Sequence, residues 1–187
     1  MRARILAMIA ATLCLIVTPM IAAMPTATAV PMPYKVPAPL IIDDRTSIWY
    51  GSRKVWDLNF AISQWNTKTH AIIRRGKCPN FKLGGQNCFV VIDAYNVMSN
   101  TAGLTQQPKL GQPGRIVLLN SNRAAKWTTT VKNWVTVHEM GHALGLVKHA
   151  SPKCQCIMQA IYDKRIPPVP QSNDIMRVNL IWRDGIY

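Results

Sequence analysis

Acidic groups are scarce in this sequence: eight Asp and Glu stand against 22 Lys and Arg, a formal net charge of +14 over 187 residues. So few carboxylates give little support to calcium binding, for which only Asp93 and nearby carbonyls offer a start. Histidine is rarer still, with four in the chain. The excess of positive charge does not imply nucleic acid. Basic residues are scattered singly or in pairs (Arg53-Lys54, Arg74-Arg75, Lys164-Arg165), without a recognition-helix or RNP-like aromatic pattern. Contact with anionic cell-envelope polymers is the partner class this balance leaves open. There is no internal repeat, and the length suits one ordinary domain, expected as a monomer. At 49% hydrophobic and 16% charged, the composition is not that of a disordered chain.

Part of that hydrophobicity belongs to the first segment. Met1-Arg-Ala-Arg4 precedes an apolar run from Ile5 to Val17, then Pro19 and small residues through Ala29. Basic, apolar and small-residue regions in this order are the parts of a secretory signal peptide, here 1–29, with Ala22-Ala23 a second cleavage point. An uncleaved anchor is the competing reading, since Ile5 to Met24 nearly suffices to span a bilayer. Pro19 and its small neighbours favour cleavage, hence a secreted or envelope-associated protein with no stable membrane insertion. Cleavage removes Arg2, Arg4 and Cys14, leaving about +12 of net charge and Cys78, Cys88, Cys154 and Cys156. An even cysteine count in an exported chain implies two disulfides, with three connectivities open. Cys78 and Cys88 flank a turn-rich loop that would let them pair, whereas Cys154 and Cys156 could join only through a tight ring.

Prolines 25, 31, 33, 37 and 39 make an extended lead-in, taken as 30–45, with the folded domain at 46–187. Ile41 to Tyr50 reads as a first strand. Leu58, Ala61, Ile62 and Trp65 fall on one face of a helix ending near Asn66. "HAIIRRG", "CFVVIDAYNV" and "GRIVLLNS" are short strands, and Asn100 to Gly114, with three glycines and two prolines, reads as a long loop. The Thr128-Thr-Thr130 run offers caps for a helix through Gly145, and Ser172 for a closing helix that buries Ile175, Val178 and Trp182. The order describes one α/β unit.

The chemistry lies in "HEMGHALGLVKH", His138 to His149. Residues four apart share a helix face, so His138 and His142 can aim imidazole nitrogens at one metal ion. Glu139, one step round, can reach a metal-activated water without binding the metal. That division of labour suits metal-assisted hydrolysis: zinc polarises the target carbonyl and acidifies a water, and the carboxylate takes the proton as general base. The same five residues could also stand by chance on a solvated helix face. That reading fits poorly with the apolar setting of Trp134, Val135, Val137, Met140, Ala143, Leu144 and Leu146, where unsatisfied imidazoles would be costly.

"HEMGHALGL" resembles the zinc-binding helix of the metzincin peptidases, closest in layout to small secreted snapalysin-like or matrixin-like enzymes. The resemblance implies a zincin catalytic domain: a twisted mixed sheet, a long zinc-binding helix, a Met-turn and a C-terminal helix. It also implies a Zn2+ cofactor, polypeptide substrates and Glu139 as the catalytic base. Met158 in "CIMQ" matches the Met-turn, and "PQSNDIMRVNLIW" the closing helix. "GRIVLLN" resembles the clan's substrate-pairing edge strand, making Arg115, Ile116, Val117, Leu118 and Leu119 the expected substrate contacts. Tyr162 follows the Met-turn at an unfamiliar spacing and is read as packing. One departure matters: the position of the third ligand holds Lys148. An ammonium has no lone pair for zinc. His149 is therefore expected to complete the set, with Lys148 turned to solvent and the extra residue absorbed in the turn after Gly145. The rival reading is a catalytically degenerate relative that binds zinc or envelope polymers.

Overall fold

The computed structural model describes residues 39–46, 55–78, 88–93, 101–106 and 116–182. The N-terminal segment expected to be a signal peptide, Arg115 and the residues between Cys78 and Cys88 lie outside these. Strand β1 (Leu40–Asp44) follows the prolines directly and runs parallel to both of its neighbours. Helix α1 (Leu58–Lys68) begins where the Asp57 side chain accepts the Phe60 N–H at 3.1 Å. It buries Leu58, Ala61 and Trp65 and leads into β2 (Ile73–Arg75). Strand β3 (Cys88–Asp93) is almost wholly buried, β4 (Gly103–Gln106) is short, and β5 (Ile116–Leu119) alternates buried and half-buried residues. The sheet order is β2-β1-β3-β5-β4, with β4 alone antiparallel. Disulfides join Cys78 to Cys88 and Cys154 to Cys156.

The short helix α2 (Ser121–Ala124) and helix α3 (Thr129–Ala143) follow. Helix α3 lies against α1, where the Trp65 indole N–H donates to the Val137 carbonyl at 2.9 Å inside the core. A short 3-10 turn at Pro152–Cys154 and an irregular stretch lead to α4 (Ser172–Trp182). Val178 and Trp182 pack inward, Ile175 is half-buried, and the Trp182 N–H donates to the Leu144 carbonyl at 3.2 Å. Among the described residues no helix is long and apolar enough to cross a membrane.

Two expectations need correction. The first strand lies inside the supposed lead-in: Leu40 and Ile42 are fully buried in an interior strand, so the folded unit already includes residue 40 rather than starting at 46. The supposed long loop contains β4, paired with β5 from Gly103↔Leu119 to Gln106↔Ile116.

Candidate metal centre

Helix α3 starts where Thr128, in extended conformation, accepts the Val131 N–H on its hydroxyl. Every residue from Trp134 to Ala143 is buried, so His138, Glu139 and His142 are polar groups inside a core. The rings of His138 and His142 lie on one face with centroids 4.8 Å apart. Trp134, one turn earlier, stacks on His138 at 5.1 Å, and Tyr162 stands edge-on to Trp134.

The helix ends in a way that brings a third imidazole back. Gly145 has φ 103°, a left-handed conformation that a side chain would strain. Its N–H donates to the His142 carbonyl, and the Leu146 N–H donates to that of Gly141, both at 3.0 Å. This paired closure satisfies two of the carbonyls left over at a helix end and reverses the chain sharply. The reversal places His149 Nε2 3.3 Å from His142 Nε2, with the His149 ring stacked 5.1 Å from His138. Lys148 is exposed, and its carbonyl accepts from Arg177.

The donor set suits a zinc ion. His138 Nδ1 lies 2.7 Å from the Ile157 carbonyl and His142 Nδ1 lies 2.6 Å from that of Leu146. A proton on each Nδ1 leaves the Nε2 lone pairs for a metal. Burial, helped by the neighbouring His142, holds His138 down at about 3, and burial likewise holds His142 at about 4. Both rings are therefore neutral at pH 7. The 3.3 Å between two Nε2 atoms is about what two ligands roughly 2.0–2.1 Å from one tetrahedral zinc would show. Ligand atoms of all three histidines lie within 4.8 Å of one another, the one such group among the described residues. Asp93, the notional calcium ligand, instead accepts the Ser121 N–H at 3.1 Å.

Met158 is fully buried, and Gly141 explains how it approaches the helix. A Cβ at 141 would run into the Met158 sulfur and come within 3.0 Å of the Trp65 ring. Next to Met158, the Ile157 N–H donates to Asp174 Oδ2 at 2.9 Å, tying this turn to α4. Glu139 is 5% exposed, and burial pushes its carboxyl up to about 7 against the opposing pull of the Thr105 hydroxyl.

The expected substrate strand is misassigned. Ile116, Val117, Leu118 and Leu119 form β5, which is flanked by β3 on one side and β4 on the other, so its backbone groups are already engaged. The edge strand on the side of Glu139 is β4. Arg115 lies outside the described residues. The residues that sequence reasoning missed are Thr105, and the Ile157 and Leu146 carbonyls that orient the imidazoles. A carbonyl has no residue signature, and Thr105 sat in an apparent loop.

A family model described as a dual-action HEIGH metallo-peptidase matches residues 37–154, which takes in both sides of the histidine cluster and stops short of Met158. The chain has Met140 at the third place of that five-letter string. No curated protein matches the chain.

Proposed function

The chain belongs to the dual-action HEIGH metallo-peptidases and is a zinc metallopeptidase of metzincin type; from that premise we propose that it is an exported endopeptidase with Glu139 as general base. The observation that carries this is the convergence of His138, His142 and His149, with the buried carboxyl of Glu139 on the helix that carries the first two. These three imidazoles would hold the metal, each through a ring nitrogen, with their opposite nitrogens fixed by carbonyls in the two buried cases. Bound there, zinc supplies Lewis acidity toward the scissile carbonyl and the attacking water. Glu139 accepts the proton that this water loses as the new C–O bond forms at the carbonyl carbon, and then passes it to the amide nitrogen, so that the C–N bond breaks and the amine leaves.

An extended substrate would lie along β4, whose outer edge has no strand partner among the described residues, and would extend the sheet by main-chain hydrogen bonds. A shallow, open depression past Met158 is lined by Gln159, Ile161, Tyr162 and Lys164 among others, and Tyr162 connects it to the cluster by standing edge-on to Trp134, which stacks on His138. The two disulfides support export into an oxidising compartment. The test is hydrolysis of casein or gelatin by the mature domain. Activity should vanish with a chelator and return with zinc. A folded, zinc-loaded protein that cleaves neither would favour the degenerate relative.

A further inference from the structure

Glu139 is held by a strand as well as by its own helix. Successive residues of β4 alternate in exposure: Gly103 and Thr105 are half-buried, Leu104 and Gln106 exposed. Both inward positions bear on the same carboxyl. The Thr105 hydroxyl lies 2.7 Å from Glu139 Oε2 and 3.1 Å from the Glu139 backbone oxygen. Two residues earlier, a Cβ on Gly103 would come 2.6 Å from Oε1 and 2.7 Å from Cγ of the same side chain. Glu139 thus fills space that a glycine leaves vacant, and a hydroxyl meets its far oxygen.

We propose that Thr105 is a positioning residue for Glu139, fixing through its hydroxyl the carboxylate orientation needed for proton transfer in the berth left by Gly103. The inference rests on the general-base reading of Glu139. A hydroxyl has one proton to give, and the shorter contact directs it to Oε2 rather than to the backbone oxygen. The carboxyl then loses rotational freedom before substrate arrives, which is how a base comes to be ready in a transition state. Because the outer edge of the same strand, unpaired among the described residues, is the one proposed for substrate, whatever orders β4 also orders the base.

Glu139 is the sole glutamate of the chain, so a protein made in a cell-free system with 13C at glutamate Cδ gives one such carboxyl resonance. Thr105→Val keeps the shape and removes the hydroxyl, and Thr105→Ser restores it. We expect the resonance to move in T105V and to return toward the wild-type position in T105S. On a peptide substrate, T105V should lose about ten- to a hundredfold in kcat, the loss expected for a hydrogen bond to a charged group, with KM and zinc content little changed. T105S should recover most of that loss. An unmoved resonance in T105V would overturn the contact. A moved resonance with wild-type kcat, or a kcat loss that serine does not rescue, would overturn the positioning role. Wild-type protein that binds zinc and cleaves nothing, with the resonance still answering to Thr105, would leave the contact standing and sink the general-base reading instead.

Discussion

His138 Nδ1 and the Ile157 carbonyl oxygen lie 2.7 Å apart, although 19 residues separate them in the chain. Through that contact the turn carrying Met158 decides which nitrogen of His138 is left for a metal. The same residue's N–H is anchored on Asp174, so α4 supports the metal helix at one remove.

Asp174→Ala should therefore destabilise the whole domain. The carboxylate accepts the N–H groups of Ile157 and Gln171 at 2.9 and 3.0 Å, in a fully buried position. Stranding both donors should cost about 2–4 kcal/mol. Denaturant unfolding of the zinc-loaded variant measures it. A loss below about 0.5 kcal/mol would show that water replaces the carboxylate at no cost.

Gly141→Ala is a second test of packing. Alanine favours a helix by about 1 kcal/mol over glycine, but overpacking a core costs about 1–3 kcal/mol. With the Met158 sulfur in the way of the new methyl, overpacking should win and the melting temperature should fall. The double variant with Met158→Ala should recover part of the loss, and failure of that rescue would separate Gly141 from Met158.

Much of this site was readable in the sequence. The four-residue spacing of His138 and His142, the Thr128 cap and the stop at Gly145 depend on local rules, and the structure follows them. Position 149 required one further step, the electronic argument against Lys148, and the chain reversal does bring that ring to its neighbours. Strand β4 was not readable. Gly103-Leu-Thr-Gln106 has one β-branched residue and lies among glycines and prolines, and its strand character comes from pairing with β5. Missing β4 moved the edge of the sheet one strand inward, and the substrate assignment moved with it. The N-terminal limit was set too late for a similar reason: prolines marked an extended lead-in, but the residues directly after them form β1, an interior strand between β2 and β3.

Removing the third imidazole should separate it from its neighbour in sequence. His149→Ala should weaken zinc binding by more than about a hundredfold, since it removes a ligand rather than an outer support. Lys148→Ala should leave affinity within about threefold, because Lys148 is exposed. Competition against a chromophoric chelator gives both values. Equal losses in the two variants would contradict the assignment.

The metal-free protein should be acid-sensitive. His138 and His142 are held at about 3 and about 4, chiefly by burial. Depressed folded-state values mean that the unfolded chain binds protons first. Their stabilisation is thus complete above about pH 6.5 and is lost as pH falls. Glu139, raised to about 7 by burial, works in the opposite sense: its contribution is complete below about pH 4.3 and is lost as pH rises through about 7. Two imidazoles outweigh one carboxyl. In chelator, the melting temperature should fall from pH 7 to pH 5, and more steeply in Glu139→Gln, which lacks the opposing group. Parallel slopes would contradict the burial assigned to Glu139.

The most direct measurement is zinc content and peptide hydrolysis on one sample of Glu139→Gln. An amide keeps the shape of the side chain and cannot take a proton from water. The variant should hold about one zinc per chain, as expected of three intact histidine ligands, and lose about 10²–10⁴-fold in kcat. Loss of the zinc together with activity would put Glu139 among the ligands, and undiminished hydrolysis would remove it from the chemistry altogether.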